Sequence, residues 1–193
     1  MVEGKGEIKA VPELVGRIAA DIGLAPFSCP TRQESWGTMK RRGGLEKAVR
    51  IAIVQHCPDG VLVILDADND CPATEGPKLL TRVRAVARDT PVGLVLAKCE
   101  FEAWFLAAAE SLAGHQGLRK PLRPPANPEA IPKAKEWLDD KMLNKKRSYS
   151  PTRQQAALVA AMDLDLAEQR SDSFAKCKRE IERLLKELAG GAP

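Results

Sequence analysis

Apolar positions along the chain follow two rhythms, and their alternation predicts the fold. In EIKAVPELVGRIAADIG, residues 7–23, Val11, Leu14, Val15, Ile18 and Ile22 recur at helical spacing, which gives a helix one apolar face. Pro12 suits the start of the helix body and Gly23 its stop. Residues 61–65 (VLVIL) and 92–97 (VGLVLA) are different, with no polar side chain in either run. Runs so short and unbroken suit parallel strands covered on both faces. Further helices are predicted over 45–56, 74–88 and 100–113, with Leu79, Leu80, Val83 and Val86 as the buried stripe of the second and Gly114 ending the third. A short strand is placed around Phe27 to Cys29. Strands alternating with helices imply right-handed βαβ units and a parallel sheet.

Residues 117–132 (GLRKPLRPPANPEAIP) are rich in proline and basic residues and read as a surface connection. Three helices follow, over 133–142, 152–162 and 171–188, the last capped by Ser171. The organisation is therefore an α/β core over 1–116, its first strand short or missing, and a Pro-rich connection with C-terminal helices over 117–193 packing on that core.

Composition narrows the function classes. With 193 residues and 44% hydrophobic content, the chain can bury one real core. No run approaches the roughly 18 to 20 apolar residues of a membrane span, and MVEGKGEIKA lacks a signal peptide's apolar region. The expectation is a cytoplasmic protein without a membrane partner. Five cysteines, odd in number and without a C-x-x-C pair, argue against a disulfide framework and a structural zinc site. A net charge of +4 is compatible with nucleic acid, but 4% aromatics with a single tyrosine leaves little for base stacking. Any nucleic acid would be met through its phosphates.

The candidate chemistry begins where the first apolar run ends, in LDADND, with Asp66, Asp68 and Asp70 at alternate positions. Like charges so close repel unless a cation, a helix N-terminus or water relieves them. Ligands of open α/β sheets bind at the carboxyl ends of strands. Alternate residues of an extended segment point the same way, so Asp66 and Asp68 can share one cation. Carboxylate oxygens suit Mg²⁺ or Mn²⁺. An EF-hand is excluded, because Cys71 and Pro77 stand where its glycine and glutamate belong. A phosphatase-type aspartyl nucleophile stays open, although Asp70 replaces the usual Thr or Val. So does a solvated acidic turn capping the helix near Thr74. Glu3 in VEGKGE, and Glu100 and Glu102 in CEFEAWF, also lie where strands meet helices. Such junctions share one rim of a parallel sheet. Each has a blander reading: Glu3, Glu7 and Glu100 as helix-start acids, and Phe101, Trp104 and Phe105 as core. His56 and His115 have no partner spacing for a metal.

VEGKGEIKAVPELVGRI, LDADND, CEFEAWFLA and MDLDLAEQRSDSF together resemble the TOPRIM-like family catalogued as domain of unknown function 4276. A glutamate in an E-G turn followed by D-x-D after a central strand is similar to the TOPRIM fold of topoisomerases, primases and OLD nucleases. The resemblance covers nearly the whole chain. It implies a Rossmann-like TOPRIM fold, a central parallel sheet flanked by helices with a helical C-terminal extension. It implies that Glu3 binds metal or shuttles a proton, and that Asp66 and Asp68 are the metal-binding pair, these three being the catalytic residues. Asp70 would be an extra carboxylate, on a second metal or solvated, and Glu100 or Glu102 a later acid found in nuclease members. The cofactor implied is Mg²⁺ (or Mn²⁺) alone.

The activity implied is a Mg²⁺-dependent phosphodiester hydrolase, a nuclease, in a bacterial or archaeal setting of phage defence with an ATPase partner subunit. The alternatives are a non-catalytic cation- or partner-binding module, or a phosphatase or nucleotidyl transferase using the same acids. Two departures stand out. Only Met1 and Val2 precede Glu3, too few for the strand that normally holds the glutamate, and the one tyrosine, Tyr149, sits in a basic loop, which excludes a topoisomerase. Phosphate-binding candidates are Lys5 beside Glu3, Lys40 and Arg41 (with Arg42) before Gly43, and Lys145 and Lys146 (with Arg147) before Tyr149. Basic clusters of this size equally suit a solvated surface.

Overall fold

The computed structural model describes residues 1–39, 41–144, 146 and 148–190, and only the backbone of Trp36. Lys40, Lys145 and Arg147 of the basic clusters lie outside the described residues. Two strands, β1 (Val61–Asp66) and β2 (Val92–Ala97), pair in parallel in a register running from Val61 opposite Val92 to Asp66 opposite Ala97. The helices are α1 (Glu7–Asp21), α2 (Trp36–Met39), α3 (Gly44–His56), α4 (Pro72–Ala87), α5 (Ala103–Ala107), α6 (Ala134–Asp140), α7 (Pro151–Ala161), α8 (Leu164–Arg170) and α9 (Asp172–Gly190). Short 3₁₀ turns occupy Ala109–Leu112, His115–Gly117 and Pro128–Ala130.

Strand alternation divides the core in two. Val63, Leu65, Leu94 and Leu96 pack with Leu45 and Val49 of α3 and Leu79 and Val83 of α4. On the other face Ile64 and Val95 join Leu14 and Ile18 of α1, Trp104 of α5, Leu158 of α7 and Ile181 of α9. Both faces are covered, and this is why neither strand shows a polar position. The result is a mixed α/β protein with a small parallel sheet and many helices. Phe101, Trp104 and Phe105 are fully buried in the second layer, with the rings of Phe101 and Trp104 4.6 Å apart. They are core, as expected.

The first strand is not lost but reduced to one residue. Val2, fully buried, bridges in parallel to Ile64 on one side and to Gln33 on the other. The Val2 amide donates to the Arg32 carbonyl (2.9 Å), the Glu34 amide to the Val2 carbonyl (2.9 Å) and the Ile64 amide to the Met1 carbonyl (3.0 Å). The extended segment beside it is therefore residues 32–34 rather than Phe27 to Cys29, which form no strand. Sheet hydrogen bonds on both sides fix the residue before Glu3.

Elsewhere the predicted helices shift at their ends, and two differences have clear causes. The helix expected over 100–113 shrinks to α5 because Cys99 adopts a positive φ of 60° and the chain turns through Glu100 and Glu102 before becoming helical. The unpredicted α8 is held by Asp163, whose Oδ1 accepts from the amides of Asp165 and Leu166, each at 3.0 Å, an ordinary N-cap. Ser171 caps α9 as expected, its Oγ accepting from the Phe174 amide at 3.0 Å. Helix α9 then covers β2, and Arg183 donates to the Val92 carbonyl at 2.7 Å.

Gly6 lies at a close approach between the starts of α1 and α7. A Cβ there would overlap Gln155 Oε1 and lie 2.7 Å from Pro151 Cβ. Gly16, in the middle of α1, has nothing within 4 Å of the same position. Gly6→Ala should therefore destabilise by about 1–3 kcal/mol through overpacking, whereas Gly16→Ala should stabilise by about 0.5–1 kcal/mol. Urea unfolding of the two variants checks the pair, and equal midpoints would remove the close approach as an explanation.

Candidate functional site

The site is built at the carboxyl end of β1. Asp66 is its last residue, and its Oδ1 accepts the Phe101 amide at 2.7 Å, so the chain leaving β2 fixes the carboxylate. The ladder stops there. Asp68 has left the extended conformation, with φ +50°, and the turn closes by the Asp70 amide donating to the Ala67 carbonyl at 2.8 Å. The expectation that Asp66 and Asp68 point the same way from one strand therefore does not hold, since alternation ends with the ladder. Asp66 is buried and Asp68 exposed. The Asp68 amide donates to the Cys99 carbonyl at 3.0 Å, so two left-handed, non-glycine residues meet at the tips of the two strands. Such conformations concentrate at functional sites.

The Val2 bridge brings Glu3 to the same rim. Asp68 and Glu7 raise the Glu3 carboxyl and the Asp66 backbone amide, hydrogen-bonded to it, lowers it, but burial is the largest influence and the net direction is up. Glu3 Oε2 is buried without a hydrogen-bond donor among the described residues. Glu7, on the first turn of α1, points inward and takes the amides of Glu3 (3.2 Å) and Gly4 (3.3 Å) on Oε2. It thus fixes the turn that carries Glu3. Burial also raises the Glu7 carboxyl.

The cation at the centre comes from α6. Lys135 Nζ lies 3.3 Å from Glu100 Oε1, 3.5 Å from Glu102 Oε2 and 3.7 Å from Asp66 Oδ2. The Lys135 backbone amide also donates to Glu100 Oε2 at 3.0 Å. Burial pulls this ammonium down, but Glu102, Asp66 and Glu100 outweigh it and hold it above the ordinary lysine range. Lys135 also lowers Glu3 and Glu7, so one ammonium acts on five carboxylates. It does not neutralise them. Burial first, then Glu7, holds Asp66 well above the usual aspartate range. Glu102, fully buried, is pushed up by burial from 4.5 to about 7. Its Oε1 accepts from Tyr149 Oη (3.0 Å) and Gln155 Nε2 (3.3 Å), and its Oε2 has no hydrogen bond among the described residues.

Asp68, Asn69, Asp70, Cys99, Glu100 and Pro132 line an open recess of about 430 Å³ beside this cluster. Asp70 stays at its mouth, exposed, with its carbonyl accepting from Lys98 Nζ at 3.2 Å. Lys5, Arg41 and Lys146 are exposed and make no hydrogen bond or ion pair with these acids. Glu7, Lys135, Tyr149 and Gln155 were not sequence candidates. Only Glu7 carried a signal, three residues after the E-G turn. Among the described residues, no group of three His, Cys, Asp or Glu side chains is arranged to hold a metal ion. The ammonium, reaching three of the acids, sets their present spacing.

A mixed α/β protein with an acidic rim at its sheet edge is the class these features define. A family model described as a domain of unknown function (DUF4276) matches residues 2–182, and the chain belongs to that family. Neither a curated protein nor a solved structure matches it. No helix among the described residues is long and apolar enough to cross a membrane.

The buried acid makes a pH prediction. Because Glu102 is raised from 4.5 to about 7, its contribution to stability is complete below the unfolded value and lost as pH rises through the folded one. Between pH 4.5 and about 7 the wild-type chain should lose more stability than Glu102→Gln. Urea midpoints measured across that window test this, and parallel curves would show that Glu102 carries no such burden.

Proposed function

We propose that the acidic rim is the site of a Mg²⁺- or Mn²⁺-dependent phosphodiester hydrolase of TOPRIM type, acting on nucleic acid through its phosphates. The observation that carries this reading is the charge imbalance: five carboxylates, Glu3, Glu7, Asp66, Glu100 and Glu102, share the single ammonium of Lys135. Two of their oxygens, Glu3 Oε2 and Glu102 Oε2, are buried without a hydrogen-bond donor among the described residues. Buried carboxylate oxygens without donors are costly, and the donor set is the kind that hard divalent cations take. Residues and ion therefore fit in chemistry. The helix-covered parallel sheet, with a glutamate beside one strand and D-x-D after the next, supports the TOPRIM likeness and the Rossmann-like arrangement it implies.

Glu3, Asp66 and Asp68 would hold the ion, with Asp70 and Glu100 at the edge of the recess. A bound divalent cation neutralises phosphate charge and makes a water more acidic. The chain's own residues do the rest. The Phe101 amide orients Asp66, and Glu7 holds the turn that presents Glu3. The raised Glu3 carboxyl suits a group that accepts and returns a proton near neutral pH. A second reading, a non-catalytic module, is favoured by the lack of a ready three-ligand group among the described residues and by Lys135 within the rim. Phage defence and an ATPase partner belong to the family resemblance and remain part of the proposal.

Incubating the protein with DNA and RNA panels plus Mg²⁺ or Mn²⁺ tests the reading. Cleavage should appear with metal and fall by about a hundredfold or more in the Asp66→Ala, Asp68→Ala double variant. Equal background in both proteins would leave only the non-catalytic module.

A further inference from the structure

The rim divides into two halves that treat charge differently. On one side Asp66 Oδ2, Glu100 and Glu102 face the Lys135 ammonium at 3.3–3.7 Å. On the other, Glu3 meets Asp68 as its nearest repelling neighbour, and Glu3 Oε2 is buried without a donor among the described residues. Lys135 is not an ordinary surface lysine that happens to reach an acid. Both its backbone amide and its ammonium bind Glu100, at 3.0 and 3.3 Å, so one glutamate fixes the residue at the first turn of α6. Its side chain keeps 41% of its exposure while those of Asp66 and Glu102 keep 12% and 0%. The charge is thus delivered from the solvent side onto buried acids. The contact to Asp66 Oδ2 is the longest of the three, and this oxygen borders both halves.

From this division we infer that Lys135 is a tethered cation filling one of two cation positions in the rim. The site then takes a single exchangeable divalent ion, on the Glu3, Asp66 and Asp68 side, and admits a second only when Lys135 is removed. The inference rests on the metal-dependent reading above and adds the stoichiometry that reading leaves open. An ammonium suits the second position because three carboxylate oxygens at 3.3–3.7 Å match N–H···O distances, whereas Mg²⁺ requires oxygens at about 2.1 Å. Removing the side chain leaves Glu100, Glu102 and Asp66 without their counter-charge, and a divalent ion restores it by drawing the carboxylates inward.

Titration of the full chain with Mn²⁺, followed by the loss of the free-ion electron paramagnetic resonance signal, counts bound ions without any substrate. The wild type should bind one Mn²⁺ per chain, Lys135→Met two, and Lys135→Arg one. Asp68→Asn should weaken the wild-type ion and serves as the control for the metal reading. Two ions in the wild type would overturn the inference while leaving the metal reading intact. So would one ion in both wild type and Lys135→Met, if Asp68→Asn still weakens it. No binding in the wild type would overturn the metal reading, and the inference with it. Lys135→Gln carries the same expectation should the methionine variant fail to fold, and the wild-type count stands by itself in either case.

Discussion

Five carboxylates held at one edge of a two-strand sheet repel one another, and the contact that makes this arrangement foldable is the Lys135 ammonium. Its reach to Asp66, Glu100 and Glu102 joins three separate parts of the chain. It also explains why the C-terminal helices sit where they do. Helix α6 cannot leave without stranding a fully buried Glu102, and breaking a buried pair by removing one partner typically costs about 3–5 kcal/mol. The segment leading to α6 is tied at its far end as well. Leu118 bridges Met142, and the Arg119 amide donates to the Lys141 carbonyl at 2.9 Å. What looks from composition like a loose connection is a strap whose buckle is the acidic site.

The opposite wall depends on a single residue of sheet. Val2 is hydrogen-bonded to neighbours on both sides, and this is enough to hold Glu3 at the tip of β1. A longer first strand would fix the glutamate through more ladder bonds. Here Glu7 supplies the missing constraint by binding the amides of Glu3 and Gly4. The inward glutamate therefore has two effects of opposite sign. It positions Glu3, and its charge raises the carboxyls of both Glu3 and Asp66. The close packing of Gly6 against Gln155 and Pro151 ties the same turn to α7, whose Gln155 in turn reaches Glu102. Backbone placement and site electrostatics are thus coupled through a few residues.

Much of this was legible in the sequence because it rests on short-range rules. Unbroken apolar runs marked both strands, helical spacing marked α1, α3, α4 and α9, and the strand ends marked the rim. Glu3, Asp66 and Glu100 do converge there. Lys135 was not legible, because it lies in KAKEW, a stretch that reads as the solvated start of a helix, and nothing local indicates an acid partner far away in the chain. Tyr149 was noticed only as the lone tyrosine, yet its hydroxyl donates to Glu102 from within the core. The shared direction of Asp66 and Asp68 failed for a physical reason. Period-two alternation holds only while a ladder enforces it, and β2 offers no partner beyond Ala97.

The blander readings of these acids made a specific claim, that each carboxylate serves the N-terminus of a nearby helix. The hydrogen bonds separate that claim from the alternative. Asp163 shows what such a cap looks like in this chain, accepting two first-turn amides of α8. Glu100 does not behave this way: its oxygens go to the amide and ammonium of Lys135 on α6, not to α5, which it precedes. Asp66 takes an amide from the chain after β2 rather than from α4, and Glu3 takes the Asp66 amide rather than one from α1. Every one of these bonds runs across the rim, from one strand–helix junction to another. Carboxylates that served only their own helices would not need to be buried together, and burying them together raises Glu3, Glu7, Asp66 and Glu102 at once. A fold that bears this cost at one edge, and supplies only one ammonium against it, has the electrostatics of a site that meets further positive charge.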